Sequence, residues 1–195
     1  MKTNNLYIIW ANPREDSLTA NIVKEMNNQA IKQGIEVTNL DLYRCNFDPV
    51  LREEDEPEWE NPTKQYSAEV RRLFAELDNK DTIVIVFPVW WYSFPAILKG
   101  YFERVWNYGL AYGEGSKLKV EKIRFVALVG GTKAGFLEYG WEQHMTDYVM
   151  KGMHYLQVND IKIDFLYNTI GLENVDEDHY QRFFEQARNI ISELV

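Results

Sequence analysis

The sequence has few of the features that mark secreted, metal-binding or membrane proteins. It contains one cysteine, Cys45, among 195 residues, which excludes an internal disulfide and a zinc site built on cysteines. The longest apolar stretch, residues 83–92, is interrupted by Pro88 and is far shorter than the ~20 residues of a membrane-spanning helix. The apolar run at residues 6–10 is too short for the core of a signal peptide. These absences predict a soluble cytoplasmic protein.

Positive charge is also scarce. Lys and Arg number 21 against 30 Asp and Glu, a formal net charge of −9, so the chain as a whole does not attract nucleic acid. An anionic ligand therefore requires a local positive site. The acidic run at residues 53–60 lacks the glycine and aspartate spacing of a calcium loop, and we interpret it as a solvated loop. The three histidines, at positions 144, 154 and 179, have no metal-ligand spacing, and no metal site is predicted.

Short apolar segments alternate with helical patterns along the whole chain. The predicted strands span residues 6–10, 36–42, 82–87, 125–129 and 161–166. Amphipathic patterns predict helices over 18–33, 67–77, 95–106, 141–155 and 180–194. Strands that alternate with helices indicate an α/β doubly wound parallel sheet with right-handed crossovers. Five strands favour the flavodoxin-like order 2-1-3-4-5, in a single domain over residues 1–195.

In this architecture, ligands bind beyond the carboxyl ends of the strands. The first segment there, residues 11–19, opens a helix with hydroxyl groups at Ser17 and Thr19 and with Arg14 nearby. Free backbone N–H groups at such a helix start suit a phosphate group. A capped loop without a ligand is the alternative. The glycine fingerprint of dinucleotide folds is absent after the first strand, and residues 113–117 lack the spacing of a Walker loop.

The second segment, residues 88–95, carries four large aromatic rings and two prolines. Connecting loops are usually polar and solvated, so this composition needs a reason. One interpretation is a rigid aromatic wall on which a planar ligand stacks. The other is that the rings pack beneath the long excursion at residues 44–66.

The third segment starts at Gly130 and Gly131, which allow backbone to approach a ligand closely or serve as a plain turn. Tyr139 and Glu142 follow within a few residues, with Trp141 and His144 beside them. These side chains are candidate proton donors, and locally satisfied or solvated residues are the alternative.

The sequence also resembles a known family. Residues 87–106, FPVWWYSFPAILKGYFERVW, are similar to the flavin-dependent NAD(P)H:quinone oxidoreductases. The resemblance is closer to the small bacterial members, which include ancillary proteins of potassium-efflux systems. Further pieces of it lie at 41–50 (DLYRCNFDPV), 109–113 (GLAYG) and 130–131. The similarity covers nearly the whole chain in the same order.

The resemblance implies a flavodoxin-like fold, an FMN or FAD cofactor, NADPH or NADH as hydride donor, and ping-pong reduction of a quinone-like acceptor. By matched motif, the residues implied at the phosphate or ribityl end are Asn12, Ser17, Leu18 and Thr19. Those implied beside the isoalloxazine are Pro88, Val89, Trp90, Trp91 and Tyr92 on one edge and Leu128, Val129, Gly130 and Gly131 on the other. Tyr112 and Phe136 are implied to face the substrate, Tyr112 from the second subunit of a homodimer.

Two positions depart from the family pattern. Many members have His where this chain has Asn12, so any phosphate contact there is neutral. Mammalian members have Tyr and His at the positions of Phe136 and Glu142, which leaves Tyr139 and Glu142 as the catalytic candidates. Two other functions remain open: a flavodoxin-type electron carrier, and a regulatory flavoprotein subunit associated peripherally with a membrane transporter.

Overall fold

The computed structural model describes residues 2–194 and contains one parallel β-sheet. Its strands are β1 (Asn5–Trp10), β2 (Glu36–Asp41), β3 (Thr82–Pro88), β4 (Lys122–Leu128) and β5 (Asp160–Leu166). All neighbouring strands pair in parallel, in the order β2-β1-β3-β4-β5. The predicted flavodoxin-like order is therefore confirmed.

In the part of the chain that the structure describes, six α-helices cover the two faces of the sheet: α1 (Leu18–Lys32), α2 (Ala68–Ala75), α3 (Ala96–Val105), α4 (Lys133–Glu138), α5 (Trp141–Gly152) and α6 (His179–Ser192). Helices α1 and α6 pack on one face, while α2, α3 and α5 pack on the other. Residues that alternate along each strand supply both layers of the core, since successive side chains point to opposite faces. Within residues 2–194 no helix has the length and apolar character needed to cross a bilayer.

Local signals place most of these elements where the sequence predicts them. Ser17 and Ser67 each cap a helix, with their hydroxyl oxygens accepting from Ala20 N–H (3.2 Å) and Val70 N–H (3.3 Å). Helix α4 was not predicted, because its six residues are too few to show a period. Strand β4 begins three residues earlier than Phe125.

The earlier start of β4 is explained by a long-range ion pair. Arg124 is buried, and its guanidinium donates to the Asp160 carboxylate at 2.8 Å, which satisfies a charge inside the strand. The predicted helix at 141–155 ends sooner, at Gly152, and continues as a 3-10 turn over Met153–Leu156.

The excursion at residues 44–66 is fastened to the domain by a buried ionic cluster. Asp55 is fully buried, and its carboxylate accepts from Arg104 Nη2 at 2.7 Å and from the Ser67 N–H at 2.8 Å. Arg104 also donates to Glu69 at 2.6 Å. The expectation that the whole acidic run is a solvated loop is therefore wrong at Asp55. A single buried acid within a charged run has no local sequence signal, because its partner lies on α3.

Candidate active site

The three segments singled out from the sequence leave the sheet side by side. Hydrogen bonds continue the ladder just past the strands: Ala11 N–H to Val86 C=O (3.2 Å), Val89 N–H to Leu128 C=O (2.8 Å) and Val129 N–H to Leu166 C=O (2.8 Å). Because all five strands are parallel, these segments share the carboxyl edge. This edge is the usual ligand position in doubly wound sheets.

The first segment is a tightly organised turn at the start of α1. Asn12 Nδ2 donates to Thr19 Oγ1 at 3.0 Å, and Asn12 Oδ1 accepts from the Arg14 N–H at 3.0 Å. Ser17 and Thr19 are almost fully buried. Ser17 Oγ accepts a hydrogen bond from the Ala20 N–H. The N–H groups of Leu18 and Thr19 belong to the first turn of α1, where backbone N–H groups have no acceptor within the helix. The Asn12 side chain thus stabilises the turn through two hydrogen bonds within it.

The second segment forms a two-residue turn with unusual backbone. Trp90 and Ser93 exchange backbone hydrogen bonds of 3.2 and 3.1 Å, and the residues between them, Trp91 and Tyr92, have φ of +50° and +56°. Positive φ at both central positions is typical of a type I′ turn, where Asn and Gly are preferred. A left-handed conformation costs a non-glycine residue roughly 1–2 kcal/mol. Strain of this kind concentrates at ligand sites.

The rings of this turn do not pack beneath the excursion. Trp91 is 96% exposed, and Trp90 and Tyr92 are 41% and 45% exposed. Only Phe94, the fourth ring, is buried, where it contacts Phe87 and the core of the sheet. Phe94 therefore packs against the core of the sheet, and the other three rings leave aromatic surface exposed at the carboxyl edge.

Tyr92 joins this turn to the third segment. Its ring stacks on Trp141, with centroids 4.1 Å apart and planes 11° apart, and it also contacts the buried ring of Phe136 at 6.1 Å. Such stacked pairs contribute roughly 0.5–1.5 kcal/mol beyond the area that they bury. The stack offsets part of the backbone strain and connects the aromatic wall to α5.

Gly130 and Gly131 follow the buried residues Leu128 and Val129. A Cβ on Gly131 would meet no atom within 4 Å, so open space lies above this backbone. Gly131 C=O accepts from the Asn168 N–H at 2.7 Å, which ties the pair to the segment after β5. Close approach of a ligand to this backbone is sterically allowed.

The two candidate proton donors have different surroundings. Tyr139 is 71% exposed, whereas Glu142 accepts a hydrogen bond from the hydroxyl of Tyr167. Burial, together with the hydrogen bond to Glu142, raises the pKa of Tyr167 well above its ordinary value. The Tyr167 ring also contacts Phe136, with centroids 5.7 Å apart.

Tyr167 was not among the candidates from the sequence. It follows the last residue of β5 directly, and a tyrosine at the carboxyl end of a parallel strand is a signal that would have found it. Its partner Glu142 opens α5 in the first turn. The fold thus brings together two side chains that are far apart in the sequence.

Tyr112 lies near the other end of the molecule. It lines an apolar cavity of about 390 Å³ with Trp59, Trp106 and Tyr155. Trp106 and Tyr155 follow the C-terminal ends of α3 and α5, which start at the carboxyl edge and run back along the sheet. At 1.5 Å per residue, α3 spans about 15 Å. Tyr112 is therefore remote from the aromatic turn of its own chain.

Comparison with known proteins agrees with this architecture. Residues 4–191 match the family model described as "Flavodoxin-like fold". The chain is 49% identical, over the full length of both proteins, to YcaK of Escherichia coli (strain K12), named an uncharacterized NAD(P)H oxidoreductase.

Two solved structures share the fold at lower identity. One is an NAD(P)H:quinone oxidoreductase from Methanothermobacter marburgensis, with a TM-score of 0.87 and 24% identity over 98% of this chain and 97% of that one. The other is an FMN-dependent NADH-azoreductase from Bacillus anthracis in complex with FMN, with a TM-score of 0.69 and 17% identity over 98% and 99%. The fold, the site at its carboxyl edge and the full-length relative lead to one conclusion: the chain belongs to the flavodoxin-like NAD(P)H oxidoreductases.

Proposed function

We propose that this protein is a flavin-dependent NAD(P)H oxidoreductase that reduces quinones or related electrophiles by two-electron transfer in a ping-pong mechanism. The observation that carries the proposal is the exposed, strained turn at Trp91 and Tyr92 on the carboxyl edge of the sheet. The printed names of the relatives support the chemistry: NAD(P)H oxidoreductase, NAD(P)H:quinone oxidoreductase and FMN-dependent azoreductase.

The residues at this edge fit a flavin. The N–H groups of Leu18 and Thr19 and the hydroxyl of Ser17 suit the phosphate or ribityl end, because a helix start carries positive partial charge. Exposed rings at Trp90, Trp91 and Tyr92 suit a planar heterocycle. The open space above Gly131 suits close contact with the edge of that heterocycle. FMN is the favoured cofactor, and FAD remains compatible with these groups.

A bound flavin would take up a hydride from NADPH or NADH and pass two electrons to an acceptor. The residues of the protein itself would orient the planar ligands and donate a proton. Trp91 and Tyr92, with Phe136 behind them, border a flat slot that selects for planar shape. The Tyr167 hydroxyl holds a proton hydrogen-bonded to the Glu142 carboxylate. The raised pKa keeps this hydroxyl protonated until hydride transfer turns the acceptor into an anion. The hydroxyl would then turn from Glu142 and donate its proton to that anion, and solvent would return a proton to Tyr167.

The position of Tyr112 supports a homodimer. Tyr112 lies in an apolar cavity with exposed rings at Trp59 and Tyr155, 62% and 64% exposed. Exposed aromatic patches are typical of contact surfaces, and closed dimers with twofold symmetry are the commonest assemblies. In such a dimer, Tyr112 of one subunit would face the flavin site of the other, which it does not reach within its own chain.

The first test is reconstitution of the purified protein with FMN or FAD, followed by kinetics with NADPH and a benzoquinone varied together. We expect a bound flavin spectrum and parallel double-reciprocal lines, because nicotinamide and quinone occupy the same slot in turn. No bound flavin, or intersecting lines, would contradict the proposal. Bound flavin without NADH or NADPH oxidation would instead favour a flavodoxin-type electron carrier.

Trp91→Gly is expected to stabilise the protein and weaken flavin binding at the same time. Glycine relieves the left-handed strain, so we expect the free energy of unfolding to rise by about 0.5–1 kcal/mol in urea titrations. Loss of the stacking ring should lower flavin affinity about tenfold in fluorescence titrations.

Asn79→Gly is the matched control for Trp91→Gly. Asn79 also has positive φ, +62°, but lies in the turn before β3 at the opposite edge of the sheet. The flavin affinity of the Asn79→Gly variant should equal that of the wild type. Unchanged flavin affinity in folded Trp91→Gly would show that this ring does not contact the cofactor.

Tyr167→Phe tests the proton donor, because it removes one hydroxyl and keeps the ring that stacks on Phe165. We expect quinone turnover to fall about 100-fold while flavin affinity stays unchanged, as for loss of a general acid. Tyr139→Phe is the control, since Tyr139 is 71% exposed. Full turnover in Tyr167→Phe would exclude this role, and solvent would then supply the proton.

Mixed dimers test whether Tyr112 acts across an interface. We expect sedimentation at micromolar concentration to give a dimer, and Tyr112→Ala and Tyr167→Phe each to have little activity alone. After subunit exchange at equal concentrations, the heterodimer holds one intact site, so activity should recover to about a quarter of the wild type. No recovery would place Tyr112 within its own site, and a monomer would contradict the proposal outright.

A further inference from the structure

Arg44 contacts the turn at the start of α1 from outside it. Its Nη1 donates to the carbonyl oxygen of Pro13 at 2.9 Å, and its Nη2 donates to the carbonyl oxygen of Asn12. Arg44 lies just beyond β2, on a neighbouring segment of the carboxyl edge. One guanidinium thus binds two consecutive carbonyl groups of a loop that is distant in the sequence.

The guanidinium is itself held in place. Arg44 Nε donates to the Asp41 carboxylate at 2.7 Å. The central carbon of the guanidinium, Arg44 Cζ, lies 5.3 Å from the centroid of the Trp10 ring. The side chain is 30% exposed, against 73% for Arg14, the arginine of the turn itself. A planar guanidinium with several fixed donors suits this geometry, and a lysine ammonium does not reproduce it.

These bonds decide which way the peptide groups of the turn face. In a trans peptide the C=O and N–H point in opposite directions. The Pro13 carbonyl points at Arg44, while the N–H of Arg14 is taken by Asn12 Oδ1. The carbonyl oxygens of Asn12 and Pro13, which carry negative partial charge, are thereby kept from turning toward an anion at the start of α1.

Resting on the flavin-binding function proposed above, we infer that Arg44 is a positioning residue for the phosphate of the cofactor. It acts through the carbonyl groups of Asn12 and Pro13, holding the turn so that the first N–H groups of α1 remain open to the phosphate. The sequence lacks the glycine fingerprint with which dinucleotide-binding folds bring their backbone close to a phosphate group.

Comparison of FMN with riboflavin tests the inference, because the two ligands differ only by the phosphate group. We expect the wild type to bind FMN more tightly than riboflavin. In Arg44→Met, FMN affinity should fall about tenfold, while riboflavin affinity stays unchanged. Arg44→Lys should recover only part of the FMN affinity. All affinities are measured by quenching of flavin fluorescence on the apoprotein, without turnover.

Arg52→Met is the matched control, since Arg52 pairs with Asp48 on the surface and its side chain is 60% exposed. It should leave both flavin affinities at wild-type values. Equal losses for FMN and riboflavin in Arg44→Met would overturn the inference and assign Arg44 a purely structural role. Unchanged FMN affinity would also overturn it. A wild type that binds neither flavin would contradict the proposed function itself, and with it the inference.

Discussion

The parallel pairing of β1 with β3 is the constraint on which the candidate site depends. Both strands are buried on both faces, so their backbone groups are satisfied by the ladder that joins them and by the ladders to β2 and β4 on either side. A parallel pair requires each connection to return through a helix before the next strand starts. All carboxyl ends therefore meet at one edge, and loops that are distant in the sequence become neighbours there.

The same constraint separates residues that the sequence places close together. The aromatic turn and the loop that carries Tyr112 flank a single helix, α3. Because that helix runs from the carboxyl edge back along the sheet, the two loops lie at opposite ends of it. In the proposed homodimer, a site that uses both loops would take them from different subunits, and the exposed rings around Tyr112 support that proposal.

Contacts from outside the loops maintain their conformations. The left-handed backbone at Trp91 and Tyr92 is unfavourable by itself, and the stack of Tyr92 on Trp141 stabilises it. Asp55 is unfavourable in the interior unless a cation accompanies it, and Arg104 supplies that cation from α3. In both places a locally costly arrangement is offset by a partner from another element.

The sequence by itself determined the five strands and the helix starts at Ser17 and Ser67, since these follow from apolar periodicity and capping, which are local. The strand order was inferred from the number of strands and the family resemblance, not from any local pattern. The sequence also located the aromatic turn and the paired glycines at the carboxyl edge. The tertiary structure alone decided that Glu142 meets Tyr167, that Arg44 holds the turn at Asn12, and that Asp55 is buried. Each of these is a pairing of single polar groups between distant segments. Such a pairing depends on where the fold brings two chain segments together, and it leaves no period or spacing in either of them.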